Sequence, residues 1–587
     1  MTTINNAPLG YPEAAEKGLK SGALGLLSSV VVGMASTAPA YSLAASLGFV
    51  VASGGALLAG VKAPAILILA FIPMYFIAVA YQELNKAEPD CGTTFTWATR
   101  AFGSITGWLG GWGIIAADVI VMANLAAVAG SYSFTFVGEV GKLLGQDWSG
   151  FSGLSGSTFW STVAGLIWIA LMTWICYRGI EVSAKVQYAL LLIEVVVLFL
   201  FSATALIKVY SGHAEAYSLH PSLSWLWPGG LDFGSVIAPA LLTGFFIYWG
   251  WDTAVAINEE SEDPGRIPGR AAVISTVLLL LTYALVSISA IAFAGVGTQG
   301  IGLGNPANAE DVFNAIGPTL FGTSAIGHLG LILLAASILT SASASTQTTI
   351  LPTARTSLSM AVFKALPDSL ARIHPRFLTP SVSTVLMGIV SAAFYLLFTL
   401  VSPNLLLALI GSLGLMIAFY YGLTGFACTW FYRRTLTRSA RDLLMRGVIP
   451  VVGGVVMLVT FIYGLIQFLA PDWLTDNNGG NITLFGRGAV GVVGIIALVL
   501  GVVLMGVYWA IRPDYFQGKT LARKGAHDLV LAGPHEPHGD FVTLPDSGLP
   551  ELLIAPDLSN LPPGARVVDL TTGSVIDPDD DEDAPPG

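Results

Sequence analysis

Gly33-Met34-Ala35-Ser36-Thr37-Ala38-Pro39 interrupts the first apolar stretch of the chain, and Gly244-Phe245-Phe246-Ile247-Tyr248-Trp249-Gly250-Trp251-Asp252 interrupts the sixth. In the first, Pro39 has no amide hydrogen to donate, and its ring clashes with the turn before it. Ser36 and Thr37 carry hydroxyls that can bond the freed backbone groups. In the second, Gly250 permits unwinding, and Asp252 puts a carboxyl at membrane depth. Backbone that leaves the helix inside a bilayer is tolerated only where protein or a water-filled cavity satisfies it. Two such interruptions, five stretches apart, are the pattern of a substrate site at the interface of two structural repeats. Half-helix N-termini attract a carboxylate, and freed carbonyls accept from an ammonium. Either segment alone has a plainer reading, because Gly and Pro are common in membrane helices; their matched positions carry the functional one.

The rest of the sequence is built to sit in a membrane. Of its 587 residues 54% are apolar and 11% charged, against roughly 25% charged in a soluble domain. A helix crosses the hydrocarbon core with about 20 apolar residues. Twelve stretches qualify or nearly so: Leu24–Val51, Ala56–Tyr81, Ile105–Ser131, Trp160–Cys176, Val186–Leu206, Val236–Ile257, Val273–Ala294, Leu329–Ile350, Val382–Leu400, Leu405–Tyr432, Val448–Leu469 and Val490–Ile511. With both ends in the cytoplasm, most loop bases fall inside, among them Lys17, Lys20, Arg100, Arg178, Arg266, Arg355 and the Arg433–Arg446 group. Only Lys62, Lys142, Lys208 and Arg487 fall at or near the outer side. That asymmetry matches the positive-inside rule, and it places the protein as a multi-pass component of the cytoplasmic (inner) membrane.

The formal charge of −11 resides mostly in the tail, since Pro513–Gly587 holds fourteen acids and four bases. No basic surface for nucleic acid is present. Cys91, Cys176 and Cys428 are far apart and form neither a disulfide framework nor a metal spacing. The chain therefore divides into a cytoplasmic N-terminal segment (1–23), a transport core of ten helices (24–432), two accessory helices (433–511) and an acidic cytoplasmic tail (512–587). The composition of that tail favours a disordered end; Leu552–Leu570 keeps enough apolar residues to serve a partner.

The residues around the sixth stretch resemble the amino acid–polyamine–organocation (APC) family. Gly250-Trp251-Asp252, Glu259-Glu260, Asp263-Pro264, Arg266 and Pro268 follow its pattern of Gly-aromatic-Asp, paired Glu, Asn/Asp-Pro and Pro before the seventh helix. Glu88-Pro89-Asp90-Cys91-Gly92 with Phe95 and Trp97, and Arg355 with Met360-Ala361 and Pro367, fit as well. The resemblance implies an all-α, LeuT-like fold of five-plus-five inverted repeats with two accessory helices, and transport by alternating access. It also implies a ligand ammonium held by carbonyls near Phe246, Ile247 and Trp249, with Phe246 closing over it. Two departures stand out. The family's amino-acid branch has a Gly-rich first break that binds the substrate carboxylate; here Ala35, Ser36 and Thr37 stand there, as in the branch with putrescine permeases. The position where some proton-coupled relatives carry a buried lysine holds Glu194.

Acids inside apolar spans are functional candidates, because a charge at that depth costs roughly 2.5–3.5 kcal/mol on insertion scales. Glu194 is the candidate proton-coupling site; its plainer reading is a neutral, hydrogen-bonded structural residue. The resemblance implies that the third helix, which carries Asp118, lines the site, so that Asp118 can meet a cationic amine, and that Asp252 ties the sixth break. Ser341 and Ser345 are one turn apart; the resemblance implies a sodium site of eighth-helix hydroxyls and first-helix carbonyls, which makes sodium an alternative coupling ion, while the plainer reading is close helix packing. Phe245, Phe246, Tyr248, Trp249 and Trp251 cannot all face one way, and one or two of them can cap a cation through ring faces. No cofactor is implied. No pair of histidines at metal spacing lies inside a span, no zinc-protease motif occurs, and no filter loop or charge ring of a channel is present. The expected activity is proton-coupled permeation of an amino acid or related amine; the alternatives are a polyamine permease or exchanger, and a nutrient sensor on the same fold.

Overall fold

The structure, a computed structural model, describes residues 17–523 apart from 54–58, 212–214, 323, 402 and 475–479, together with two short strands nearer the C-terminus. Two compact units divide the chain. Of the unit formed by 1–16 and 532–587, the described part is an antiparallel pair, Val567–Val568 with Val575–Ile576. The other unit, Lys17–Leu531, holds the helices.

The first stretch forms α1 (Leu26–Ser36) and α2 (Pro39–Val51). Then follow α3 (Ala63–Ala87), α4 (Thr94–Phe102), α5 (Ser104–Leu143), the short α6 (Ser149–Leu154), α7 (Thr158–Arg178) and α8 (Ile180–Tyr210). The sixth stretch forms α9 (Ala238–Tyr248) and α10 (Thr253–Ala256). The remainder comprises α11 (Ile267–Ala294), α12 (Val312–Phe321), α13 (Ala325–Val362), α14 (Ser381–Val401), α15 (Pro403–Tyr432), the three-residue α16 (Ala440–Asp442), α17 (Ile449–Phe468) and α18 (Ala489–Ile511). Eleven helical spans among the described residues are long and apolar enough to cross a membrane. Val236–Ile257 is absent from that number because α9 stops after 11 residues.

The burial pattern separates two kinds of helix. On α7, α14 and α18 large apolar side chains such as Phe159, Trp174, Leu400 and Val503 stand exposed, the face a lipid-bathed helix presents. By contrast α13 is buried over most of its length although rich in Ser and Thr, and it packs against α1, α5 and α8. Its small hydroxyl side chains permit close approach and bond neighbouring backbone. The accessory pair lies outside, with α17 against α3 and α15, and α18 against α15 and α5.

Packing continues past residue 511, where the solvated tail was expected to begin. Tyr515, Phe516 and Leu521 are buried. The Tyr515 hydroxyl donates to the Ser104 carbonyl (2.9 Å) and bonds Thr99 (2.8 Å), and Arg523 Nε donates to the Ala101 carbonyl (3.1 Å). Three apolar side chains are enough to strap this segment over the ends of α4 and α5. The rest of the tail expectation, including Asp577–Asp583, lies outside the described residues, as do residues 1–16.

The two interruptions touch. Gly250 has φ 119°, a conformation that L side chains rarely adopt, and a Cβ there would lie 2.7 Å from the Ser36 carbonyl oxygen. Ala38 is left-handed without being glycine (φ 47°) and leads into Pro39 at the start of α2. Gly250→Ala is therefore expected to destabilise the protein by about 1–3 kcal/mol, read as a lowered Tm in detergent. Ala38→Gly should leave Tm unchanged or raise it, since it removes a left-handed side-chain penalty.

Candidate functional site

At the first break the chain leaves the helix at Thr37 and Ala38. Their amides donate to the Met34 and Ala35 carbonyls (both 3.1 Å), and the Thr37 hydroxyl donates to the Met34 carbonyl (2.8 Å). Ser36 links the two breaks: its hydroxyl shares a hydrogen bond with Thr253 (2.8 Å), and its carbonyl accepts from Ser345 Oγ of α13 (2.9 Å). At the second break the Ile247 carbonyl accepts from the Tyr283 hydroxyl of α11 (2.7 Å), and Trp249 Nε1 donates to the Tyr420 hydroxyl of α15. Backbone freed in a low-dielectric interior is expensive unless bonded, and α13 and α11 bond the Ser36 and Ile247 carbonyls.

Of the candidate residues, Ser36, Thr37, Ile247 and Trp249 meet in this centre. Phe246 lies beside it, edge-to-face with Tyr41 of α2 (centroids 6.2 Å). Ala35, in the last turn of α1, lies in an apolar cluster with Leu191 of α8 and Ala344 of α13. Trp251 is buried between Tyr81 and Tyr421 (5.2 and 5.1 Å), and its indole N–H has no acceptor among the described residues.

Glu194 projects from α8 onto the first turn of α2. Its Oε1 accepts from the Ala40 amide (2.7 Å) and from Ser341 Oγ (2.7 Å), while Ser341 Oγ accepts from the Tyr41 amide (3.1 Å). A carboxylate thus occupies the positive end of the half-helix. Its Oε2 has no hydrogen-bond partner among the described residues. Ser341 and Ser345, although one turn apart, serve different partners: Ser341 meets Glu194, and Ser345 meets the Ser36 carbonyl.

Asp118 accepts from Thr353 of α13, and Asp252 accepts from the tyrosine hydroxyls of α15, Tyr420 (3.0 Å) and Tyr421 (2.9 Å). Among the described residues no cationic side chain pairs with Glu194, Asp118 or Asp252. The adjacent pair Tyr420-Tyr421 was not singled out from sequence; an α15 stretch with two neighbouring hydroxyls in an apolar run was the available signal.

Near the start of α1 lies a second set of contacts that sequence reasoning missed. Arg355 grips Glu260 with two nitrogens (2.5 and 2.8 Å), both buried. The Lys17 ammonium reaches Asp90 (2.7 Å) and Glu259 (2.5 Å), while the Ala23 amide donates to the Glu260 carbonyl (2.8 Å). Asp90, Cys91 and Glu259 offer three donor atoms within 4.8 Å, and the lysine supplies the cation they surround. Burial alone would lower the Lys17 pKa, but Asp90, Cys91 and Glu259 hold it well above its ordinary value. Burial alone would raise the Asp90 carboxyl, but Lys17 and hydrogen bonds from Ser359 and Gly92 hold it below its ordinary value.

Lys17→Ala leaves buried carboxylates unpaired and is expected to cost about 3–5 kcal/mol, seen as a lower Tm. The sign follows from linkage. A depressed Asp90 contributes stability that is lost as pH falls through its folded pKa, and a raised Lys17 contributes stability that is lost as pH rises through its own. The Tm deficit of Lys17→Ala should therefore be present at neutral pH and shrink in strong acid, where the carboxyls are protonated with or without the lysine. A deficit as large in strong acid as at neutral pH would contradict the pairing.

Comparison with known proteins accords with this architecture. The sequence profile of the amino acid permease family matches residues 24–495. An uncharacterized transporter of Mycobacterium bovis is 27% identical over 376 residues, 63% of this chain and 72% of the relative. A branched-chain amino acid permease of Bacillus subtilis is 24% identical over 346 residues, 59% of this chain and 69% of the relative. The crystal structure of MhsT in complex with L-phenylalanine superposes with a TM-score of 0.54 at 15% identity, covering 76% of this chain and 99% of MhsT. That likeness shows a shared LeuT-like fold. Matched across its helical body, the chain belongs to the amino acid permease family, within the APC superfamily of multi-pass membrane transport proteins.

Proposed function

We propose that the protein carries a neutral, apolar α-amino acid across the cytoplasmic membrane by alternating access, with both chain ends in the cytoplasm and a proton as coupling ion. The substrate class rests on two supports. Relatives include the branched-chain permease, and the fold neighbour was crystallised with L-phenylalanine. The side chains beside the breaks are also apolar or aromatic, namely Phe246, Ile247 and Tyr41.

The observation that carries the coupling is Glu194 Oε1 on the Ala40 amide. A substrate carboxylate is drawn to the same half-helix end. Two anions there repel each other, and protonation of Glu194 removes the repulsion. Proton and substrate then favour each other's binding by the same factor, which is the linkage a symporter needs. The amide supply at the first break supports this, since Pro39 has none and Thr37, Ala38 and Tyr41 spend theirs within the protein. The substrate's ammonium would lie toward the carbonyls of the second break, and Asp118 and Asp252 add negative potential there.

The test is transport in proteoliposomes, with α-amino acids and putrescine in parallel. Leucine or phenylalanine should accumulate when the outside is acid, with apparent affinity rising as pH falls. Glu194→Gln should retain counterflow, which needs no net proton movement, and lose accumulation driven by the pH gradient. Unchanged accumulation in Glu194→Gln would remove Glu194 from coupling. Uptake of putrescine alone would overturn the amino-acid reading, and binding without flux would overturn transport.

A further inference from the structure

Away from the breaks, a crevice of about 550 Å³ opens on the outer surface of the helix bundle, where the α4–α5 junction meets the end of α15 and the start of α17. Phe102, Leu423, Phe426 and Val451 form its apolar walls, and Trp430 stands at its mouth, 40% exposed, with its ring against Phe102 (centroids 6.0 Å). A lined hollow of this kind on a membrane-facing surface accepts an acyl chain.

The mouth is cationic. The Arg433 guanidinium lies 4.8 Å from the Trp430 ring and that of Arg523 lies 5.9 Å from the same ring. Arg434 is adjacent and exposed. Arg433 donates to the Trp430 carbonyl (2.7 Å) and Arg523 to the Ala101 carbonyl (3.1 Å), which leaves most of their five N–H donors each unused by those contacts. Among the described residues none of the three meets a carboxylate, whereas Arg100, Arg441, Arg446 and Arg512 at the same end each do. Burial, then the charges of Arg434 and Arg523, weaken Arg433's hold on its proton, a repulsion that a bound anion relieves. Guanidinium forks match phosphate oxygens in pairs.

We propose that this crevice is a site for one anionic phospholipid, its acyl chains along Phe102, Leu423, Phe426 and Val451 and its phosphate held by Arg433, Arg434 and Arg523. Phospholipid suits both halves of the site. Free phosphate has no chain to fill the apolar walls, and the chain's own acidic run at Asp577–Asp583 has no large apolar side chain to lay in them. A basic pocket between membrane helices at the cytoplasm-assigned end is where anionic headgroups lie.

The full-length protein, purified in detergent, is titrated with phosphatidylglycerol or phosphatidylcholine, read by native mass spectrometry and by Tm. Phosphatidylglycerol should be retained and raise Tm more than phosphatidylcholine. The triple variant Arg433→Gln/Arg434→Gln/Arg523→Gln should weaken that retention by about a hundredfold, as expected for three basic side chains near an anionic headgroup. Val451→Trp, which fills the crevice and keeps every arginine, should also lose retention. Equal retention of the two lipids, or undiminished retention in both variants, overturns the proposal. So does inorganic phosphate raising Tm as much as phosphatidylglycerol. Retention that is absent in the native chain and appears only when Asp579, Asp580, Asp581 and Glu582 are changed to amides overturns it too, by assigning the arginines to the tail.

Discussion

Peptide groups released from a helix in the middle of a membrane have no water to turn to, and each must find a donor or acceptor on another element. Here that requirement is met crosswise. Ser36 bonds Thr253, Ser345 bonds the Ser36 carbonyl, and Tyr283 bonds the Ile247 carbonyl. The two breaks are each other's partners as much as they are ligand sites. Because Gly250 lies against the Ser36 carbonyl with no room for a methyl group, neither break can shift far without the other. Packed elements of this kind switch between discrete arrangements rather than deform gradually.

The electrostatics follow from the same economy. Glu194, Asp118 and Asp252 are buried, and each is held by hydroxyls or an amide rather than by a base. By contrast Arg355 and Lys17 pair with Glu260, Glu259 and Asp90 near the start of α1. The acids beside the breaks thus have no base among the described residues, whereas the acids near Lys17 and Arg355 do.

Run length and Gly/Pro punctuation made most of the fold legible, because the length of an apolar run is set by bilayer thickness and needs no partner to be recognised. The exception is instructive. Val236–Ile257 is long enough as a string, yet the chain turns out of the helix at Trp249. The site was legible only as types of residue. That Glu194 would sit on the Ala40 amide depends on how α8 crosses α2. That Ser341 and Ser345 would part company depends on which helix faces each turn of α13. Lys17 looked like an ordinary loop base because its partners lie 73 and 242 residues away. The strap of Tyr515, Phe516 and Leu521 was hidden by the polar composition around it.

The separation of Lys17 from Glu259 has a consequence for how the protein is made. The lysine leaves the ribosome before α1, but its glutamate follows 242 residues later, which at ordinary synthesis rates is roughly 10–50 s. Asp90 follows after 73 residues, and from then until the end of the interval the ammonium still lacks Glu259. The nascent chain cannot complete this closure until the second broken helix has emerged. A lysine made early is thus fastened late, and a chain that stalls before Glu259 shows quality-control proteases an incompletely paired ammonium that the finished protein buries.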